Sequence, residues 1–135
     1  MSIFDGIISG FGIALTPMNL LFGFMGALIG TAVGVLPGLG PAATIALLLP
    51  ITYSIPSPVP AVILMAGIYY GAMYGGSTTS VLLNLPGEAA SVVTCIDGYK
   101  MAQQGRAGAA LGIAAIGSFV AGTVAVVGLT LFAPP

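Results

Sequence analysis

The chain is predicted to be an all-α, polytopic membrane protein whose helices are broken by glycine and proline, some of them into half-helices. Three observations carry this prediction. Of the 135 residues, 58% are apolar and only 4% charged, with a mean hydropathy of +1.15, which excludes an ordinary soluble domain. The charged residues are Asp5, Glu88, Asp97, Lys100 and Arg106, which leaves 82 consecutive uncharged residues from Gly6 to Gly87 and 29 from Ala107 to Pro135. About 20 apolar residues span the hydrocarbon core, so each run can hold at least one crossing. Finally, clusters of glycine, proline and hydroxyl residues interrupt the helical periodicity at 35–41 and 74–80, inside the long uncharged run. Residues 1–135 read as a single membrane domain.

The same composition removes several classes of function. Two basic residues cannot make the electrostatic footprint of a nucleic-acid-binding protein. With no histidine and one cysteine there is no disulfide framework and no imidazole or thiolate metal site, and Cys95 reads as a small buried apolar residue. The N-terminus, MSIFDGIISGFGIAL, lacks the basic region of a secretory signal and reads as retained.

The first element runs from Ile3 to Leu15, where Ile3, Phe4, Ile7, Ile8, Phe11 and Leu15 recur at helical spacing and Asp5 suits the positive end of the dipole. It is short and glycine-rich, and is expected at the interface or against the bundle. Thr16-Pro17 ends it and opens the next helix. From Met18 to Leu36 there are 19 uncharged residues, enough to cross. Gly26, Gly30 and Gly34 lie four apart on one face, where another helix backbone can approach closely.

The run Val35-Leu36-Pro37-Gly38-Leu39-Gly40-Pro41 cannot continue a helix. Pro41 opens a new one, and Ala42 to Leu49 is expected to form a half-helix that Pro50 limits. Prolines at 50, 56, 58 and 60 predict an extended turn from Ile51 to Pro60, near a membrane surface. Ala61 to Tyr74 re-enters as a helix with Gly67, Gly71 and Gly75 on one face and with Tyr69, Tyr70 and Tyr74 suited to an interface or a cavity wall. Gly75-Gly76 and the hydroxyls of Ser77, Thr78, Thr79 and Ser80 are expected to unwind it; Val81 to Leu85 is a further short apolar piece, closed by Pro86-Gly87.

Glu88 to Gln104 is the stretch with a water-facing side, and Gly105 supplies its stop. Lys100 and Arg106 place that end on the cytoplasmic side by the positive-inside rule. Ala107 to Phe132 is the second confident crossing, with Gly108 and Gly112 as expected points of close approach.

Two breaks flanked by short apolar helices match the discontinuous helices of secondary transporters, whose unwound backbone is tolerated at membrane depth only where protein buries it or it lines a cavity. A competing structural reading is available. Ser and Thr hydroxyls often bond back to carbonyls one turn earlier, which would make both stretches packing features. A phosphate-binding loop is excluded because GGSTTS lacks the Gly-Lys-Ser/Thr ending. A serine hydrolase would need Ser77 or Ser80 as nucleophile without any histidine base, so no enzyme is expected.

VGVLPGLGPAATIALLLP at 33–50 and AGIYYGAMYGGSTTSVLLNLPGEAASVVTCIDGYKMAQQGRAG at 66–108 resemble the N-terminal region of the large membrane subunit of the tripartite tricarboxylate transporters (TctA-type). The resemblance implies a multi-pass protein of the bacterial inner membrane that takes part in cation-coupled symport of a small carboxylate. It also implies three partners in the lipid bilayer and periplasm: the remainder of the large subunit, a small membrane subunit and a periplasmic solute-binding protein. Sodium or a proton would be the coupling ion, with no other cofactor. Family members continue well beyond the length of this chain, so it is expected to be the N-terminal part of a larger subunit. The alternative is a truncated or accessory structural segment without transport activity of its own.

The candidate substrate and cation site is therefore Pro37, Gly38, Leu39, Gly40 and Pro41 from the first break, Gly75, Gly76, Ser77, Thr78, Thr79 and Ser80 from the second, and Asn84. No lysine or arginine lies between Gly6 and Gly87, so an anion must be held by backbone N–H groups at half-helix starts, by hydroxyls and by a bound cation. Gly75, Ser77 and Thr78 are the candidate sodium ligands, since carbonyl and hydroxyl oxygens suit a hard cation.

Overall fold

A computed structural model describes residues 3–132, and side chains from Asp5 onward; the side chains of Ile3 and Phe4, assigned above to the greasy face of the first helix, lie outside the described residues. The described chain is all-α. Its helices are α1 (Ile3–Ala14), α2 (Pro17–Gly34), α3 (Pro41–Thr52), α4 (Pro58–Leu83), α5 (Val92–Gln103) and α6 (Ala107–Phe132), with a short 3-10 turn at Ala89–Ser91 before α5. Among the described residues, α2, α4 and α6 are long and apolar enough to cross a bilayer.

The centre of the fold is the α2–α4 pair, and glycine makes it. Gly26, Gly30 and Gly34 of α2 lie against Leu64, Ile68 and Ala72 of α4, while Gly67, Gly71 and Gly75 lie against Gly23, Ala27 and Thr31. At each of these positions an added Cβ would collide with backbone of the facing helix, so both stripes read from the sequence are filled, each by the other. Sequence number rises in the same direction along both partners, so α2 and α4 run parallel.

Parallel neighbours need a return path, and α3 with its flanking turns provides it. Gly40, at the start of α3, lies beside Glu88, whereas Ile45, Leu49 and Thr52 share a groove with Ala61, Met65 and Tyr69 of α4. The helix thus runs antiparallel to α4. Its 12 residues cover only about 18 Å, well short of the roughly 30 Å core, as expected of a half-helix. Pro50 does not end it. The missing N–H forfeits one intrahelical bond near the C-terminus, and the helix closes at Thr52.

The expected extended turn is also shorter than predicted, because Pro58 and Pro60 lie in the first turn of α4, where the missing N–H groups have no intrahelical acceptor anyway. The expected unwinding at Gly75-Gly76 does not occur. The helix continues unbroken to Leu83, and Val81 to Leu85 is its final turn and exit. Close packing of Gly71 and Gly75 on α2 offsets the intrinsic cost of glycine in a helix, about 1 kcal/mol per residue. The hydroxyls compete for no new partner, since Ser77, Thr78 and Ser80 bond the carbonyls of Met73, Tyr74 and Gly76. The alternative weighed above, back-bonding within a packed helix, is the one that holds here.

α1 stays short. Asn19, buried at the start of α2, donates from Nδ2 to the Ile13 carbonyl at 2.8 Å and ties the two helices together. α5 packs on the end of α4 through Gly98 and Val81, and stops at Gly105 (φ +76°), where the Arg106 N–H bonds the Met101 carbonyl at 2.9 Å. Cys95 on α5 is half-buried. α6 runs back beside α4, with Gly122 against Tyr70; Gly108 and Gly112, expected to be packed, have nothing within 4 Å.

A candidate site where two glycine turns meet the end of the parallel pair

α2 ends at Gly34 and is capped by Val35, whose N–H bonds the Thr31 carbonyl at 3.1 Å. The chain then turns sharply through Gly38, at φ +85°, a backbone region that side chains rarely tolerate. Gly40 is extended (φ −65°, ψ 171°) and Pro41 takes the first position of α3. The predicted break between Leu36 and Pro41 is present. Gly40 is fixed by its carbonyl, which accepts from the Thr44 N–H at 3.0 Å and from Thr44 Oγ1 at 3.1 Å, and Thr44 is wholly buried. In a helix that starts this way, the N–H groups of Ala42 and Ala43 have no intrahelical acceptor.

Thr79 joins this turn to the hydroxyl run of α4. Its Oγ1 donates to the Val35 carbonyl at 2.8 Å and lies 3.2 Å from the carbonyl of Gly75, and the side chain is 1% exposed. A hydroxyl has a single proton, and the shorter contact takes it. The two stretches singled out in the sequence therefore meet, although only one of them is a break.

A second turn completes the junction. α4 ends at Asn84, which is exposed and adopts the left-handed conformation (φ 58°) common just past a helix end. The chain then doubles back so that Gly87 packs on Gly76, with no room for a Cβ at Gly87. This delivers Glu88 to Gly40, where an added Cβ would lie 3.6 Å from that of Glu88. Ser91 holds the turn: the Glu88 N–H donates to Ser91 Oγ at 3.1 Å, and that hydroxyl donates to the Glu88 carbonyl at 2.9 Å. Burial pushes the Glu88 carboxyl above the usual glutamate range.

Of the residues proposed from sequence, Pro37 to Pro41 form the first turn, Gly75 and Gly76 are buried helix contacts, and Thr79 and Ser80 are buried and bonded. Ser77 and Thr78 are half-buried and bonded within α4, and Asn84 is an exposed cap. The carbonyl ladder around Gly75 remains helical, so the unwound segment on which sodium ligation by Gly75, Ser77 and Thr78 was premised is not formed. Sequence reasoning passed over Glu88. Its signal was available: it is the charge that ends the 82-residue uncharged run, directly after Pro86-Gly87.

Residues 20–135 match the family described as the tripartite tricarboxylate transporter TctA family. An Agrobacterium vitis protein described as "Uncharacterized 52.8 kDa protein in TAR-I ttuC' 3'region" is 59% identical over 135 residues, 100% of this chain and 27% of that protein. The chain thus spans about a quarter of the length of that relative. No solved structure matches it. With the family's sequence pattern running from the first turn of α2 to residue 135, this all-α membrane protein belongs to the tripartite tricarboxylate transporter TctA family.

Proposed function

We propose that the chain contributes the first part of the large membrane subunit of a binding-protein-dependent symporter for tricarboxylates or related carboxylates in the bacterial inner membrane. Its partners in this reading are the remainder of the large subunit, a small membrane subunit and a periplasmic solute-binding protein, with sodium or a proton as coupling ion. The observation that carries the reading is the junction itself: Thr79 bonded to Val35, Gly87 on Gly76 and Glu88 beside Gly40. It gathers a half-helix start, two glycine turns and the chain's one glutamate at the end of a crossing pair, in a member of a transporter family.

One observation favours the other reading, a structural segment that binds nothing. Every hydroxyl from Ser77 to Ser80 has an acceptor within the protein. Uptake of radiolabelled citrate by cells carrying a complete transporter of this family, with and without sodium, separates the two. Thr79→Val and Gly38→Ala should lower uptake by about tenfold or more at unchanged membrane abundance, given that a small misplacement of a binding group costs on the order of a hundredfold, whereas Ser9→Ala should not. Uptake unchanged in all three variants would leave the structural reading in place.

A further inference from the structure

Among the residues that form the junction, Glu88 carries the one titratable side chain. Measured from Pro58 at 1.5 Å per residue, Gly76 lies about 27 Å along a 26-residue helix of about 39 Å, longer than the roughly 30 Å hydrocarbon core. Gly87 packs on Gly76, so the chain is carried back to that level of α4 just before Glu88, while α4 itself runs some two turns further. Three elements meet at this turn: the start of α3 at Gly40, beside the Glu88 Cβ; the α4 face at Gly76, against Gly87; and Ser91, which fixes the Glu88 backbone. Of the surrounding helices, α2 and α3 carry no titratable side chain, α4 carries the phenols of Tyr69, Tyr70 and Tyr74, and α5 carries Cys95, Asp97, Tyr99 and Lys100. Asp97 and Lys100 are exposed, and burial is the cause that acts on Glu88.

We propose that Glu88 carries the coupling proton: ionised, it repels a substrate carboxylate from the junction, and protonated, it admits one and can donate a hydrogen bond to it. This rests on the reading of the chain as part of a carboxylate symporter. The electrostatics follow from what the junction lacks. No cationic side chain between Gly6 and Gly87 offsets a second negative charge, so two carboxylates brought together here cannot both stay ionised without cost. Binding one proton relieves that repulsion. By linkage the substrate must then raise the proton affinity of Glu88 by the same factor that the proton raises substrate affinity, which is what ties the two together in transport.

The test reads pH dependence in cells carrying the complete transporter. Wild-type citrate uptake should rise about tenfold from about pH 7.5 to about pH 5.5, a typical coupling factor, and Glu88→Gln should flatten the profile after division by citrate's own titration. Glu88→Asp should retain a pH-dependent profile, which keeps the test informative if the Gln variant is not assembled. A Gln variant with the wild-type profile, or wild-type uptake that follows sodium and ignores pH, overturns the proposal. If no citrate is taken up at any pH or sodium level, the symporter reading fails and a second measurement decides the proton linkage alone. In the purified complete transporter, the glutamate δ-13C resonance that Glu88→Gln removes identifies Glu88 and reports its titration. A midpoint that moves up by about one pH unit with citrate matches the tenfold coupling; an unmoved midpoint overturns it.

Discussion

Thr79 shows how much can depend on one hydroxyl. Its neighbours in the run bond only within α4, but Thr79 reaches the Val35 carbonyl across the helix pair and so fixes where the first glycine turn begins. Thr79→Val keeps the shape and leaves that carbonyl without its donor, a loss of about 1 kcal/mol; Thr79→Ser should recover most of it. Thermal unfolding in detergent, ranking wild type, Ser and Val in that order, checks this. Glu88 gives a pH signature of a different kind. A carboxyl raised above its unfolded value holds its proton more tightly when folded, so stability from this group is full below the unfolded pKa and falls as pH rises through the folded one. The stability of Glu88→Gln relative to wild type should therefore increase from acid to neutral pH. A difference that is constant across that range would mean Glu88 titrates alike in the folded and unfolded chain.

At the scale of helices, packing decides what glycine means. Gly30→Ala would drive a methyl into the Ile68 backbone and separate α2 from α4, costing about 1–3 kcal/mol as overpacking does, whereas Gly112→Ala meets nothing within 4 Å and should be neutral or mildly stabilising. Comparing the unfolding of the two variants tests the contrast directly. The same contrast explains what the sequence could and could not disclose. Repeats of glycine every four residues at 26–34 and 67–75 announced a close helix contact, and Pro-Gly-Leu-Gly-Pro announced a turn, because both are local steric facts. Whether Gly75-Gly76 unwinds or packs depends on a partner helix 44 residues earlier in the chain, as the Thr79–Val35 bond records. Local pattern cannot see that distance. The place of Glu88 beside Gly40 was hidden for a related reason: it depends on the doubling back of Gly87 onto Gly76, which no periodicity encodes.

Across the described residues, the long helices have an unusual sense of direction. α2 and α4 run together and α6 runs against them, while a wide apolar groove of about 1140 Å³ separates α1 from α6, lined by Gly10, Phe11, Tyr70, Tyr74, Phe119 and Thr123 among others. This arrangement places Thr16 and Ser57 at one end of the bundle and Gln104 at the other. In a chain with Cys95 replaced by Ser, Thr16→Cys and Ser57→Cys should react with a membrane-impermeant thiol reagent from the same side, and Gln104→Cys from the opposite side. Labelling of Thr16→Cys and Ser57→Cys from opposite sides would contradict the parallel pair.

The parallel pairing also sets an order of events during synthesis. A nascent chain enters the bilayer one segment at a time, and successive crossings ordinarily alternate in direction. Here α4 must enter with the same orientation as α2, so the 23 residues from Val35 to Ser57 must pass back through the membrane although their helix covers only about 18 Å of it. Alone, α3 is too short to hold that position; the face of α4 against which Ile45 and Leu49 rest does not exist until α4 has been made. A nascent chain halted after Ser57 should therefore leave Ser57 on the side where α2 ends, and lengthening it past Leu83 should carry Ser57 across. On that outcome, the half-helix is a segment whose topology is decided after its own translation, by the helix that follows it.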